Sequence, residues 1–223
     1  MKQAPLTAKS VLRDYQDVFK GLGYIGTSSF VVDSSAIPVQ HTSRRIPVAL
    51  KKEVITKLKD LERRGVKETA PTEWISNMVV VAKPGKIRIC LDPQELNKAI
   101  QRPKYQMPTL EELLPKLCEA KIFSTLAAKD GFYQISLDKT RSKLMFWTPF
   151  GHYRYLQMPF GVSLAPEEFE RNLQEKLGNL KGVAVIRDDI IVMGFGETQE
   201  QAVHNHDENL LKLARYSARF DLK

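Results

Sequence analysis

The chain carries two adjacent carboxylates, Asp188 and Asp189, between two apolar, β-branched runs at residues 183–186 and 190–193. Such runs favour strands, and the residues between them predict a tight turn. Two like charges side by side repel unless a cation neutralises them, so this turn is a candidate platform for Mg²⁺. The alternative is an ordinary solvated β-turn, because aspartate is a common turn residue.

A segment further upstream has the pattern of a partner strand. Phosphoryl transfer by two metal ions needs a carboxylate that bridges both ions, and such a residue would stand at the end of a second strand. Residues 122–126 predict that strand. Ala127 and Ala128 follow it, and the next carboxylate, Asp130, falls in a turn past the strand end.

The remaining elements must position these residues. A hairpin is predicted from the β-rich runs 77–82 and 87–91, which Lys83-Pro84-Gly85-Lys86 joins with a charged tip. Helices are predicted over 6–19, from Pro47 to Gly65, and over 108–117, 166–177 and 198–217. Further strands are predicted near 30–33, 144–147 and 153–156. Strands and helices that do not alternate strictly predict an α+β fold.

The charge of the chain favours a polyanionic partner. The 223 residues have a formal net charge of +8. Residues 41–64 hold eight Lys/Arg against three Asp/Glu, and residues 81–105 hold six against two. Nucleic acid is the commonest partner of such basic stretches, and a basic surface without any partner is the alternative.

The two cysteines and the hydropathy pattern indicate an intracellular protein, cytoplasmic or nuclear. Cys90 and Cys118 stand far apart in apolar contexts, which predicts reduced thiols in the core and no disulfide framework. The longest apolar run, near residues 78–82, is too short to cross a bilayer. We therefore expect no membrane partner.

Four motifs follow one another in a defined order. They are Val80 to Asp92 with Leu96-Asn97-Lys98, then Phe123 to Ile135, Met158 to Phe169, and Asp188-Asp189. In order and spacing they resemble the reverse transcriptase of gypsy-class LTR retrotransposons, from about Val11 to the C-terminus. The resemblance implies the fingers and palm of a right-hand polymerase, with an antiparallel palm sheet backed by helices and no thumb.

The resemblance also implies roles for single residues. Arg88 and a fingers lysine, Lys83 or Lys86, would grip the incoming triphosphate. Phe132 would stack under the sugar and exclude a 2′-hydroxyl, and Phe160 with Gly161 would pack against template and nucleotide. The alternative for both phenylalanines is plain core packing.

The same resemblance implies the cofactor and the partners. Asp188 and Asp189, with the main-chain carbonyl of Ala128, would bind a pair of Mg²⁺ ions. The partners would be an RNA or DNA template-primer and a dNTP, with further Pol domains (thumb, RNase H and integrase) if the chain is a fragment.

The sequence departs from the family at a decisive position. The family places an aspartate that bridges both metals directly after Leu126, and this chain has Ala127. A methyl group cannot bind Mg²⁺, which needs oxygen ligands. Asp130 is an unlikely substitute, because it lies past the strand end. We therefore predict little or no catalysis by this chain.

Smaller departures accompany Ala127. Ile186 stands where many family members have tyrosine, and the segments 143–147 and 66–71 look shortened. Loss of one residue from a strand would reverse the side-chain faces beyond it unless a bulge absorbs the change. The chain also ends where a primer-positioning hairpin and thumb would begin.

We expect an N-terminal extension over 1–45, part of the fingers over 46–110, and the palm with the remaining fingers strands over 111–223. Two interpretations stay open: a degraded enzyme fragment, and a non-catalytic nucleic-acid-binding module.

His204 and His206 suggest a metal site, but side chains at i and i+2 of a helix face different ways. A surface helix explains them better.

Overall fold

A computed structural model describes residues 6–83, 86–102, 105–106, 108–138, 140 and 143–222. The helices of the described residues are α1 (Ala8–Asp14), α2 (Lys51–Arg63), α3 (Gln94–Ala99), α4 (Leu110–Glu119), α5 (Ala165–Leu177) and α6 (Gln199–Arg219). The strands are β1 (Gly26–Ser28), β2 (Val31–Val32), β3 (Val66–Glu68), β4 (Asn77–Lys83), β5 (Lys86–Asp92), β6 (Ile100–Gln101), β7 (Ile122–Ala127), β8 (Ile135–Leu137), β9 (Met145–Thr148), β10 (Gly151–Tyr155), β11 (Val183–Ile186) and β12 (Asp189–Gly194).

The chain divides into two compact units, each built from separate stretches of sequence. The first unit comprises Met1–Ile25, Tyr105–Gln134 and Pro166–Lys223, and the second comprises Gly26–Lys104 and Ile135–Ala165. None of the helices in the described part of the chain is long and apolar enough to cross a membrane.

The first unit is organised around an antiparallel sheet with the strand order β11-β12-β7. Helix α6 covers one face of this sheet and contacts β12 and β7. Thr198 caps the helix by accepting a hydrogen bond from the N–H of Gln201. Two buried side chains fasten α6 to the strands: His206 Nε2 lies 2.9 Å from Ser124 Oγ, and Asn209 Nδ2 donates to the Met193 carbonyl at 2.9 Å.

The histidines of α6 face different ways, as expected, but the surface-helix interpretation is wrong for His206. His206 is buried against the sheet, whereas His204 is exposed and lies 3.5 Å from Glu208 on the same helix. Residues at i and i+2 of a helix are separated by about 200° around its axis, so the two rings cannot share one metal ion.

The second unit contains several small sheets, and α2 contacts strands β5 and β3 of two of them. Strands β4 and β5 form the predicted hairpin, in register from Asn77 opposite Asp92 to Lys83 opposite Lys86. The predicted turn residues Pro84 and Gly85 lie outside the described residues. A second antiparallel sheet has the order β3-β10-β9, and β1 pairs in parallel with β8. Val54, Leu58 and Leu61 of α2 are buried and form the apolar face of this helix.

Two expectations about the elements were wrong. The predicted helix over 6–19 is only α1, because Tyr15 leaves helical geometry with φ −122° and ψ 41° and the chain then turns. Val18 is still buried after that turn, so the apolar spacing of residues 6–19 reflects burial and not one continuous helix.

Cys118 is exposed on α4, a helix with no buried residue, and is not a core thiol. Cys90 is half-buried, and burial raises the pKa of its thiol.

Candidate functional site

The two carboxylates lie at a tight hairpin in the first unit. Arg187 and Asp188 form the turn between β11 and β12, and Asp189 is the first residue of β12. Arg187 has φ +52°, a left-handed conformation uncommon for a residue with a side chain. Asp188 and Asp189 are both exposed. The apolar flanking strands are buried in the sheet, so the charged turn is what the hairpin presents to solvent.

The register of the sheet decides what faces these carboxylates. Asp189 pairs with Ile186 on one side and with Ala127 on the other, so the three residues form one row. Directly opposed residues in an antiparallel pair have Cβ atoms about 4.5–5.5 Å apart on the same face. The methyl group of Ala127, which is exposed, therefore occupies the position where a side chain would meet Asp189.

The donor set does not fit a two-metal centre. Hard cations such as Mg²⁺ bind oxygen ligands, and a shared centre needs a carboxylate between the two ions. Asp188 and Asp189 supply carboxylates, and Ala128 supplies at most a carbonyl. In the segments that the structure describes, no three His, Cys, Asp or Glu residues group closely enough to hold a metal ion. Asp130 lies in the turn after β7, with φ +50°.

A buried acid lies near the turn. Glu170, on α5, is 1% exposed. Burial raises the pKa of its carboxyl, and the charge of Asp188 adds to this, whereas the backbone N–H and guanidinium of Arg187 lower it. Glu170 has no local sequence signal of burial, because an acidic residue on a helix is usually solvated.

Phe132 is held by an aromatic contact within the first unit. It lies in a 3₁₀ turn over Gly131–Gln134, and its ring meets Phe169 of α5 edge to face, with centroids 5.6 Å apart. Gly131 permits this approach, since a Cβ there would come within 2.5 Å of the Phe169 ring. Phe132 remains half-buried and therefore keeps part of its surface for a ligand.

The predicted triphosphate-binding residues belong to the second unit. Arg88 is exposed on β5, where its partner across the hairpin is Val81. Lys83 and Lys86 are partners at the end of the same hairpin. The pairing thus brings three basic residues to one end of the β4–β5 hairpin.

The segment with Phe160 and Gly161 is fastened to the hairpin and to α3. The Leu91 N–H donates to the Phe160 carbonyl at 3.1 Å. Asn97 Nδ2 donates to the Gly161 carbonyl, and the Ser163 N–H donates to Asn97 Oδ1, both at 2.9 Å. Phe160 is 36% exposed, so a ring surface stays accessible beside this clamped turn.

Asn97 and Arg102 are positioning residues that sequence reasoning missed. Arg102 Nη2 donates to the Ser163 carbonyl at 2.7 Å and adds a second support for the same turn. The signal for Asn97 was its place in the Leu96-Asn97-Lys98 motif, but its partners lie more than sixty positions away. Long-range hydrogen bonds of this kind leave no local pattern.

Asn97→Ala should destabilise the second unit by about 1–2 kcal/mol, because it removes two hydrogen bonds to the turn. Urea denaturation followed by tryptophan fluorescence measures this, since Trp74 and Trp147 both lie in that unit. Asn97→Asp is the matched variant: it keeps an acceptor for Ser163 and loses the donor to Gly161. It should fall between the wild type and Asn97→Ala, and equal stability of all three would contradict the clamp.

The predicted site residues thus occur in two groups. Asp188, Asp189, Ala127, Ala128 and Phe132 belong to the first unit, and Arg88, Phe160 and Gly161, with the backbone of Lys83 and Lys86, belong to the second. Within the first group the sheet brings Asp189 and Ala127 together.

Two curated proteins are similar over most of this chain. Uncharacterized protein K02A2.6 of Caenorhabditis elegans is 32% identical over 209 residues, which cover 90% of this chain and 16% of that protein. The retrovirus-related Pol polyprotein from transposon 297 of Drosophila melanogaster is 29% identical over 206 residues, which cover 84% of this chain and 20% of the polyprotein. The chain therefore spans about a fifth or less of these relatives.

The chain also matches a solved structure and the model of a protein family. The foamy viral protease-reverse transcriptase in complex with an RNA/DNA hybrid matches with a TM-score of 0.79 and 19% identity, covering 96% of this chain and 30% of that one. This likeness confirms the predicted α+β fold of polymerase fingers and palm. The model of the family described as reverse transcriptase (RNA-dependent DNA polymerase) matches residues 76–223, and the chain therefore belongs to that family.

Proposed function

We propose that this chain is the fingers-and-palm portion of the reverse transcriptase in an LTR-retrotransposon Pol polyprotein, with the first unit as palm and the second as fingers. Similarity to the Pol polyprotein of transposon 297 supports this assignment. The reaction of such a domain is attack of a primer 3′-hydroxyl on the α-phosphate of a dNTP, directed by an RNA or DNA template, with cleavage of the bond between the α- and β-phosphates and release of pyrophosphate.

Different residues of this chain would bind different parts of the substrate. The exposed guanidinium of Arg88, with Lys83 or Lys86, suits the oxygens of a triphosphate, because planar and point-like cations both pair with phosphate. The half-buried ring of Phe132 would lie under the sugar and disfavour a 2′-hydroxyl. Phe160, supported through its carbonyl by Leu91, would offer a ring to the template or nucleotide.

We further propose that catalysis by this chain is weak or absent. The observation that carries this proposal is the register in which Ala127, and no carboxylate, stands opposite Asp189. Loss of one preorganised electrostatic contact to a transition state typically costs about 10²–10³ in rate. Primer extension by the chain and by its Ala127→Asp variant is the test, and strong extension by the unmodified chain would overturn the proposal.

A second candidate function is template-primer binding without catalysis. It is favoured by the positive charge of α2, which carries Lys51, Lys52, Lys57, Lys59 and Arg63 and is followed by Arg64 at its C-terminal cap. A nucleic-acid-binding module needs this positive charge and does not need the carboxylate missing at position 127.

Binding of a primer-template duplex should therefore be measurable at low salt and should weaken steeply as salt is added. Each neutralised phosphate contributes about −0.9 to the slope of log Kobs against log salt. Fluorescence anisotropy at several salt concentrations measures this slope. A slope near zero, or no binding at low salt, would favour the degraded-fragment interpretation.

Asp60 of α2 forms ion pairs with three neighbouring cations. Its carboxylate lies 2.8 Å from Lys57 Nζ, 3.3 Å from Arg64 Nε and 3.8 Å from Arg63 Nη2. The hydrogen bond from Lys57, helped by the charges of Arg64 and Arg63, holds the pKa of Asp60 below its ordinary value of 3.8. One carboxylate therefore partly neutralises three of the cations on and beside this helix.

Asp60→Asn should strengthen duplex binding and weaken folding at once. A carboxyl with a lowered pKa stabilises the folded state above its ordinary pKa, and this stabilisation is lost as pH falls through the folded pKa. We expect the variant to be about 0.2–1 kcal/mol less stable at pH 7, with the difference shrinking as the pH falls past 3.8 and vanishing only below the lowered folded pKa of Asp60. Denaturation at several pH values measures this.

Glu53→Gln is the matched control for that change. It removes one negative charge from the first turn of the same helix, so it should also strengthen duplex binding. It should not reproduce the pH-dependent loss of stability, because the ion pairs of Asp60 remain. Identical pH profiles for the two variants would contradict the role assigned to Asp60.

A further inference from the structure

The first unit encloses a cavity behind the strand ends that carry the candidate site. Its volume is about 170 Å³, and its walls come from α1, α5, α6 and the sheet. The side chains that define it are aliphatic: Val11, Leu126, Leu173, Leu177, Ile190 and Leu213. Leu126 and Ile190 are cross-strand partners in the row next to Ala127 and Asp189.

The cavity offers poor conditions for water. An ordered internal water needs two to four polar partners, and these walls are almost wholly apolar. The Gln134 side chain at its edge is already engaged, since Nε2 donates to the Lys129 carbonyl at 3.0 Å. A dry apolar cavity of roughly 150 Å³ is large enough to bind benzene. Phe19, which also lines this cavity, is 39% exposed, so the wall reaches the molecular surface.

We propose that this cavity is a binding site for a compact, uncharged apolar molecule of about one aromatic ring. The physical basis is the match between the ligand and a void that neither water nor a side chain fills well. A ligand with a hydroxyl group would give up its hydrogen bonds to water for a mostly apolar lining, in which Lys129, Gln134 and Ser217 are the polar residues, and should bind much more weakly. Because residues 126–128 and Ile190 line the cavity, an occupant contacts the strand ends next to Asp189.

Toluene and phenol form the matched pair of probes, since they have nearly the same size and differ in polarity. At a hundredfold excess over its Kd, toluene should raise the Tm of the full chain by about 5–10 °C. Phenol at the same concentration should have little effect. An equal response to both probes, or none to toluene near its solubility limit, would overturn the proposal.

Substitutions in α6 test whether toluene binds in this cavity. Ala214 lines the cavity, whereas Ala218 lies one turn further along the helix and does not. Ala214→Leu should abolish the toluene response and Ala218→Leu should preserve it. If Ala214→Leu does not fold, amide spectra of the wild type decide the matter. Toluene should then shift the resonances of Ala127, Ala128 and Ile190, and shifts confined to other residues would contradict the site.

Discussion

Ala127→Asp is expected to extend a primer at least about a hundred times faster than the unmodified chain on an RNA template with Mg²⁺. The register places position 127 directly opposite Asp189, so a carboxylate there joins Asp188 and Asp189 on one edge of the sheet. Three carboxylates can hold divalent cations that two, with a methyl group beside them, cannot. Single-nucleotide incorporation under initial-rate conditions measures the gain.

Ala127→Asn is the control for size and polarity. Its amide has the shape of aspartate without the full negative charge, so it should recover little activity. If the unmodified chain extended the primer as fast as the aspartate variant, the hypothesis that Ala127 impairs catalysis would be wrong. The same conclusion would follow if the asparagine and aspartate variants were equally active.

A second measurement on these variants does not depend on turnover. Opposed like charges destabilise a sheet, so Ala127→Asp should have a lower Tm than the wild type in a chelator. Mg²⁺ should raise the Tm of the aspartate variant and change that of Ala127→Asn much less, because only bound cation relieves the repulsion. A Mg²⁺ response that is the same for both variants would show that position 127 is not a ligand position.

Gly161→Ala is expected to destabilise the second unit by at least about 2 kcal/mol. Gly161 has φ +108°, a conformation that side chains rarely adopt, and an added Cβ would lie 1.9 Å from the Leu91 carbonyl oxygen. The substitution must therefore displace the backbone that the Leu91 N–H and Asn97 hold in place. Circular dichroism during urea denaturation, with tryptophan fluorescence as the local probe, measures the loss.

Gly21→Ala separates the two causes of this loss. Gly21 also has a positive φ, +87°, but no atom lies within 4 Å of the position that a Cβ would take. Circular dichroism should therefore show the cost of backbone strain alone, about 1 kcal/mol, because Gly21 lies in the first unit and both tryptophans lie in the second. If the two alanine variants lose the same stability, the close approach of Leu91 to Gly161 has no energetic consequence. Gly161 would then need no structural explanation beyond its backbone angle.

Local sequence patterns predicted the elements that carry a strong periodic signal. The strands around Asp188-Asp189, the hairpin at 77–92 and the helix between Pro47 and Gly65 all appear close to where they were expected. Local patterns failed where distant segments decide the outcome. The parallel pairing of β1 with β8 joins segments far apart in the chain, and neither strand has a local signal strong enough to predict it. Helix α1 ends at Asp14, before the buried Val18. Apolar spacing predicted which residues are buried but not the backbone geometry that buries them.

The sequence by itself determined the chemistry that is present: two adjacent carboxylates, a basic hairpin, and an alanine, not an acid, after Leu126. Residue types are local facts, and strand and turn propensities act over a few neighbours. Only the tertiary structure decided that Ala127 faces Asp189, that Asn97 clamps the turn of Gly161, and that a cavity lies behind the strand ends. Register, long-range hydrogen bonds and packing defects arise from contacts between distant segments, and a one-residue shift in pairing would have turned position 127 to the other face of the sheet.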